Sequence, residues 1–159
     1  LSDLKEKYPK LKWVRPSAMH ITLLFLGNID DYLVQECKQI VKAPALKMNR
    51  FTVEYNGVDC FPSKRKPRVF YVGISRGYEE CIQIYDALKS SLPSAIPTET
   101  RKYTPHITIA RTKQGVPAPN VEDFPIIKGS FTVDRCVLYE SVLKPTGAEY
   151  REVAEALFA

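Results

Sequence analysis

Histidine is scarce in this chain, which has two among its 159 residues. No apolar run approaches the roughly 20 residues that a membrane helix needs, so we expect no membrane span. We also expect neither a signal peptide nor a low-complexity segment. The four cysteines form no C-x-x-C pair and have no histidine at zinc-ligand spacing, which argues against a zinc site and a Cys–His nucleophile. These absences predict free thiols, no metal or other cofactor, and a cytoplasmic location.

The composition is typical of a folded globular protein. Apolar residues make up 45% of the chain and charged residues 26%, and the length suits one domain with a sizeable core. We expect residues 1–159 to form a single domain of two lobes, as a monomer. The net charge of +5 favours an acidic partner such as nucleic acid, although charges of this size are also common on proteins that bind none.

Both histidines occur in the same four-residue frame. Residues 20–23 read His-Ile-Thr-Leu and residues 106–109 read His-Ile-Thr-Ile. From ordinary residue frequencies, this coincidence has a chance on the order of one in 10^5. Apolar residues follow each copy, so residues 20–26 and 106–111 are both predicted as strands. In a strand, residues i and i+2 share a face, so each copy presents an imidazole beside a hydroxyl.

Two such strands facing each other would enclose two imidazoles and two hydroxyls, which suits acid–base chemistry on a phosphate. A single strand histidine beside a threonine is usually structural. Two matched copies that use the whole histidine content favour a paired site instead. One neutral and one protonated imidazole could act as base and acid near neutral pH. Thr22 and Thr108 could donate hydrogen bonds to the non-bridging phosphate oxygens.

The remaining pattern predicts an α+β fold with mostly antiparallel strands. Apolar residues at helical spacing indicate helices over residues 32–42 and 78–92. Shorter alternating segments predict the strands, and the chain continues after Gly57 either past a bulge or as a second strand. The order of His strand, helix and strands, followed by helix, His strand and strands, suggests two lobes related by a pseudo-twofold axis. The predicted strands cover residues 12–14, 20–26, 51–55, 58–61, 69–74, 106–111, 130–133, 135–141 and 149–154.

The ordered set of motifs resembles the 2H phosphoesterases, and within them the RNA 2′,3′-cyclic phosphodiesterases, once called 2′-5′ RNA ligases. Each short motif is weak alone, but the set covers nearly the whole chain in the family's order. The family usually begins with an apolar strand before its first helix, and we expect that strand to be absent here. The matching stretches are Arg15-Pro16, TLLFLG at 22–27, Phe61-Pro62, Pro67-Arg68-Val69, HITIAR at 106–111 and LYES at 138–141.

The resemblance implies a bilobal fold of two sheets with flanking helices, whose two motifs line a central cleft. It also implies metal-independent opening of a terminal 2′,3′-cyclic phosphate to a 2′-phosphate, with His20 and His106 as catalytic residues. We assign His106 as the base and His20 as the acid. Arg111 stands where the family carries a phosphate-binding arginine. Strand alternation argues against this role for Arg111, because residues 106, 108 and 110 share one face and residue 111 lies on the other. The strand must therefore end or twist at Arg111.

Additional contacts to RNA are predicted near the motifs. Phe25 and Tyr103 flank them and could stack on a nucleobase, although core packing is the commoner role of such aromatics. A proline-punctuated basic loop could bind RNA phosphates or could be ordinary exposed surface. Its basic residues are Lys64, Arg65, Lys66 and Arg68.

Three functions remain open from the sequence. The first is hydrolysis of RNA ends that carry a 2′,3′-cyclic phosphate, with tRNA fragments among the candidate substrates and 2′-5′ ligation as a side activity. The second is hydrolysis of small cyclic nucleotides. The third is a non-catalytic nucleotide- or RNA-binding module. A decayed module would be expected to lose a histidine or a threonine of the motifs, and this chain keeps all four.

Overall fold

The structure is a computed structural model that describes residues 2–42, 48–145 and 147–159. The described residues form three α-helices and seven β-strands. A short 3₁₀ helix, Pro16–Ala18, precedes the first histidine motif. The elements are α1 (Ser2–Lys7), β1 (Lys12–Trp13), α2 (Asp31–Lys42), β2 (Phe51–Phe61), β3 (Val69–Arg76), α3 (Tyr78–Ser91), β4 (His106–Arg111), β5 (Lys128–Val133), β6 (Arg135–Lys144) and β7 (Gly147–Leu157).

The strands form two sheets, which confirms the predicted α+β class. Five strands lie in the order β1-β4-β3-β2-β5, and β6 pairs with β7 in a two-stranded sheet. The recorded pairs are antiparallel. β4 has the predicted bounds, and α2 and α3 differ from prediction by one residue at one end each. The bulge at Gly57 is also confirmed, because the β2–β3 register shifts between Asn56 and Val58 and Gly57 has a φ of 76°.

The strand predicted over residues 20–26 is wrong. In this segment only Ile21 makes a β-bridge, and the residues after it have no regular structure. Leu23 and Leu24 instead pack against one apolar core cluster and Leu26 against another. These leucines therefore pack against the core from an irregular segment, because tertiary contacts override their β propensity.

The chain divides into two compact units. Unit 1 comprises Leu1–Thr22, Glu54–Arg76 and Pro105–Ser130, and unit 2 comprises Leu23–Val53, Gly77–Thr104 and Phe131–Ala159. Unit 1 holds most of the five-stranded sheet over one apolar core. That core is formed by Leu4, Leu11, Cys60, Phe70, Val72, Ile107, Ile109, Ala110, Val121 and Phe124.

Unit 2 carries α2, α3 and the β6–β7 sheet around two smaller clusters. In the first, Val41 of α2 and Ile84 of α3 pack with Phe158 near the C-terminus. In the second, Leu33 and Cys37 of α2 pack with Ile96. α2 buries Leu33 and Cys37 on one face, as its sequence pattern predicts. The buried face of α3 carries Cys81, Ile84 and Leu88, whereas the sequence pattern predicted Ile82, Tyr85, Leu88 and Leu92.

The four cysteines are buried free thiols, as predicted. Burial raises the pKa of the Cys81 and Cys136 thiols to about 11. A thiolate is costly to form in such surroundings, so these thiols are unreactive structural residues.

Candidate active site

The chain brings the first histidine motif to the free edge of β4. β1 pairs with the C-terminal part of β4, and the Val14 N–H donates to the Ile109 carbonyl over 2.9 Å. The chain then leaves the edge through the 3₁₀ helix Pro16–Ala18 and returns where Ile21 pairs with Ile107. The histidine and threonine of each motif therefore belong to unit 1, and the two motifs meet at the edge of one sheet.

The antiparallel bridge sets which residues of the two motifs face each other. Residues on either side of such a bridge match in reverse order, so His20 falls opposite Thr108. By the same register, Thr22 falls opposite His106. The bridging isoleucines pack with the apolar core. Alternation along β4 then assigns the His106 imidazole and the Thr108 hydroxyl to the opposite face of the sheet.

The His20 imidazole is anchored by a backbone carbonyl of the preceding 3₁₀ helix. Its Nδ1 lies 2.9 Å from the Ala18 oxygen. Because a carbonyl can only accept, Nδ1 carries the proton that is donated, and the neutral ring then has its lone pair on Nε2. This carbonyl was not predicted from the sequence. Pro16, which suits the start of a helical turn, was the signal for the turn that supplies it.

The His106 imidazole is half-buried at the start of β4, against two aromatic rings. The Phe61 and Tyr71 ring centroids each lie 5.1 Å from that of His106, in edge-on arrangements. Phe61 and Tyr71 stack on each other with centroids 4.3 Å apart. Gly73 is the residue opposite His106 in β3, so no side chain crowds the ring from that position. The sequence analysis did not identify this aromatic pair.

A β-bulge in β4 brings Arg111 onto the face of the motif residues. Thr108 pairs with Tyr71, whereas Arg111 pairs with Val69, two residues along β3. Because residues two apart in a strand share a face, Thr108 and Arg111 share one as well. The two residues between them, Ile109 and Ala110, are both buried in the core, 2% and 0% exposed. In a regular strand Arg111 would lie on the face opposite to Thr108. The extra residue in β4 reverses the alternation, so Arg111 lies on the same face as Thr108.

Positive charge on this face extends beyond Arg111. Lys12 of β1 is its cross-strand partner, and both residues are exposed. Two cations directly opposite each other repel, and a bound anion would relieve that repulsion. Within the described ranges, no salt bridge involves Arg111. The sequence analysis did not single out Lys12, because only the β1–β4 register makes it a neighbour of Arg111.

The basic loop follows Phe61 directly. The Arg68 N–H donates to the Phe61 carbonyl over 2.7 Å, which closes the loop at the end of β2. Lys64 forms a surface ion pair with Glu122 at 3.2 Å, a contact that contributes little to stability. The loop's predicted role in RNA binding stays a prediction. Its exposed basic residues are Lys64, Arg65, Lys66 and Arg68.

The two aromatics predicted to stack on a nucleobase belong to unit 2, not to the unit that carries the motifs. Phe25 is 74% exposed. Tyr103 is half-buried, with one ring face covered by Tyr85 at a centroid distance of 4.3 Å. Burial raises the pKa of the Tyr103 hydroxyl, which has no hydrogen-bond partner among the described residues. These features favour packing for Tyr103, and contact of either residue with RNA stays a prediction.

The described part of the chain lacks both a metal-binding cluster and a membrane-spanning helix. It contains no group of three or more His, Cys, Asp and Glu side chains arranged to hold a metal ion. None of its helices combines the length and apolar character needed to cross a membrane.

Comparison with protein families identifies one match that covers most of the chain. The model of the 2′-5′ RNA ligase superfamily matches residues 1–144. A Thermotoga maritima protein named RNA 2′,3′-cyclic phosphodiesterase is 32% identical over 171 residues, which cover 99% of this chain and 87% of the relative. An Aeropyrum pernix protein of the same name is 29% identical and covers 91% of this chain and 85% of the relative.

Solved structures share the fold. A Thermus thermophilus protein has a TM-score of 0.81 and 26% identity, and the match covers 99% of this chain and 90% of that protein. The E. coli LigT structure with 3′-AMP has a TM-score of 0.75 and 20% identity, covering 99% of this chain and 88% of LigT. At that identity the second likeness concerns the fold alone.

Proposed function

Because the chain belongs to the 2′-5′ RNA ligase superfamily, we propose that it hydrolyses the 2′,3′-cyclic phosphate at RNA ends to a 2′-phosphate. The proposal includes independence from metal ions and other cofactors. The observation that carries it is the Ile21–Ile107 bridge, whose register matches each histidine of one motif with the threonine of the other. The name shared by the Thermotoga maritima and Aeropyrum pernix relatives supports the reaction and its substrate class.

In the proposed reaction, water adds across the bond between phosphorus and O3′. A base removes a proton from water while the water oxygen forms a new bond to phosphorus. The P–O3′ bond breaks, and an acid delivers a proton to O3′. The product carries its phosphate on O2′. Two imidazoles, one neutral and one protonated, suit these paired transfers near neutral pH.

We assign His106 as the base and His20 as the acid. The Ala18 carbonyl accepts from Nδ1 of His20, which supports a role for Nε2 in proton transfer. When His20 is protonated, Nδ1 keeps this bond and Nε2 carries the proton for O3′. His106 in its neutral form would accept the proton of water.

Charge that builds on the non-bridging phosphate oxygens would be stabilised by three side chains. The hydroxyls of Thr22 and Thr108 would donate hydrogen bonds to these oxygens. Arg111 would add a positive charge and two N–H donors, and the bulge in β4 supports this role because it gives Arg111 and Thr108 a common face. These groups supply proton transfer and charge stabilisation without a metal.

RNA is the proposed substrate class rather than a small cyclic nucleotide. The exposed basic loop after β2 supports this choice, since exposed lysines and arginines attract a phosphate backbone. tRNA fragments with cyclic phosphate ends are candidate substrates. A parallel reaction, in which a 5′-hydroxyl replaces water as the nucleophile, the P–O3′ bond breaks and a 2′-5′ linkage forms, is a proposed side activity of the same site.

The deciding experiment is incubation of the purified protein with a short RNA that ends in a 2′,3′-cyclic phosphate. Products are compared by chromatography with authentic 2′- and 3′-phosphate standards, and a cyclic mononucleotide is assayed in parallel. The double variant His20→Ala/His106→Ala, purified identically, controls for contaminating hydrolases. We expect a 2′-phosphate product from RNA. A predominant 3′-phosphate would overturn the orientation, and turnover of the mononucleotide alone would overturn the choice of RNA.

A further inference from the structure

We propose that Tyr71 is a positioning residue for His106: its ring, itself buried and stacked on Phe61, fixes the orientation of the imidazole. The kinetic consequence of this inference rests on the proposed function, whereas its structural consequence does not. Tyr71 lies in β3 beside β4 and would act through His106, without itself touching the substrate.

Tyr71 is held in place by burial and by its neighbour in β2. It pairs with Asp59 across β2 and β3, so the two side chains lie side by side on one face of the sheet. The Asp59 carboxylate accepts from the Cys60 N–H over 2.8 Å, which holds it in place. Burial and the nearby Asp59 charge raise the pKa of Tyr71. A side chain that is 8% exposed has little freedom to turn.

The ring of Tyr71 is fixed by stacking as well. Phe61 covers one of its faces at a centroid distance of 4.3 Å and an interplanar angle of 20°. Phe61 and Tyr71 therefore form a rigid aromatic pair. Within the sheet, Tyr71 lies between its two strand partners, Asp59 in β2 and Thr108 in β4.

His106 contacts both members of this pair. Its ring meets Phe61 at an interplanar angle of 74° and Tyr71 at 60°, each at 5.1 Å. Edge-on contacts at this distance are favourable aromatic geometry. The glycine opposite His106, Gly73, offers no side chain to restrain the imidazole. The aromatic pair thus supplies side-chain walls that limit its rotation.

The orientation of the His106 imidazole affects the reaction rate, because proton transfer needs a short, aligned hydrogen bond. A displacement of about 1 Å at a reacting group can cost on the order of 100-fold in rate. Replacing Tyr71 with leucine removes the ring that contacts the His106 imidazole, whereas phenylalanine keeps the ring and removes only the hydroxyl. The two variants should therefore differ in their effect on turnover.

The kinetic test compares Tyr71→Leu, Tyr71→Phe and the control Phe124→Leu on the cyclic-phosphate RNA. Phe124 is a buried aromatic of the same unit that stacks on Tyr8 and Phe70 in the core. We expect kcat to fall at least about 10-fold in Tyr71→Leu and about 3-fold or less in Tyr71→Phe, with KM changing less than about 3-fold in both. The control should keep kcat at a temperature where it is folded. Equal losses in Tyr71→Leu and Phe124→Leu, or unchanged kcat in Tyr71→Leu, would overturn the proposal.

The structural test uses NMR of the imidazoles, which is simplified because the chain has two histidines. In the native protein, His106 ring protons should show contacts to Phe61 and Tyr71. In Tyr71→Leu we expect loss of the fixed contact to Phe61 and shifted His106 signals, with the His20 signals unchanged. Unaltered His106 signals would refute positioning by Tyr71. If Tyr71→Leu does not fold, Phe61→Leu removes the other ring of the pair and is judged by the same criteria.

The kinetic and NMR tests distinguish failure of the proposed function from failure of the positioning role. A native protein that hydrolyses no cyclic phosphate contradicts the proposed function, and the NMR comparison then decides the positioning role alone. An active native protein whose Tyr71 variants keep both turnover and His106 geometry contradicts the positioning role alone.

Discussion

Thr108 and Arg111 are three residues apart in one strand, yet they lie on the same face of the sheet. The register of β4 against β3 advances by one extra residue between them, and both intervening side chains enter the core. A phosphate-sized group above this face could therefore meet the hydroxyl and the guanidinium together.

Loss of either histidine should cut turnover by at least about 100-fold, because each removes one partner in proton transfer. Steady-state rates of His20→Ala and His106→Ala on the cyclic-phosphate RNA measure this effect. Both side chains are only half-buried, so circular dichroism should show native folding. Near-normal turnover in either variant would rule out the two-histidine mechanism.

Arg111→Ala should lower kcat/KM by about 10- to 100-fold, since it removes a charge-assisted contact to the phosphate. Arg76→Ala is the matched control, because Arg76 is an exposed arginine of the same sheet whose ion pair is with Glu54. The control should stay within about 2-fold of the native protein, as expected for a surface ion pair. Equal effects of the two substitutions would argue against a phosphate role for Arg111.

Activity should survive exhaustive treatment with EDTA. The two imidazoles and Arg111 can supply proton transfer and charge stabilisation without a Lewis acid. Rates before and after chelation, measured in metal-free buffer, test this expectation. Loss of activity that a divalent ion restores would contradict metal independence.

The double variant Arg65→Ala/Lys66→Ala should raise KM for RNA while leaving turnover of a cyclic mononucleotide unchanged. Each lost phosphate contact should reduce the slope of log affinity against log salt by about 0.7 for single strands. Lys10→Ala/Lys42→Ala, which removes two other exposed cations, controls for net charge. An identical loss in both double variants would indicate a general charge effect rather than binding by the loop.

The free energy of unfolding should fall as pH rises from about 9 to 11, in part because of Cys81 and Cys136. Burial raises the pKa of each thiol from 9.0 to about 11, so in this window the unfolded chain releases protons that the folded chain retains. Stability from these groups is complete below pH 9 and declines above it. Urea unfolding at pH 8 and 10 should show a smaller loss in Cys81→Ala/Cys136→Ala than in the native chain, and an equal loss would exclude the thiols as a cause.

Local pattern was sufficient for several features of this protein. The twin motifs, the bounds of β4 and the two longer helices depend on residue types at periods of two and 3.6, which a single segment displays by itself. The chemistry proposed for the site also comes from local pattern, because two imidazoles and two hydroxyls in repeated frames suit acid–base work on a phosphate, and it stays a prediction. The pseudo-twofold cleft inferred with them stays a prediction.

Other features were decided by pairing between distant segments. Three features depend on how segments far apart in sequence meet: the irregular path after Ile21, the bulge that places Arg111 on the face of Thr108, and the contact of the Tyr71 ring with His106. Strand alternation assumes an uninterrupted ladder, and one extra residue reverses it. Whether a strand contains such an extra residue depends on how it packs against its neighbour. Ile109 and Ala110 can both face the core because β4 pairs with β3 in a shifted register.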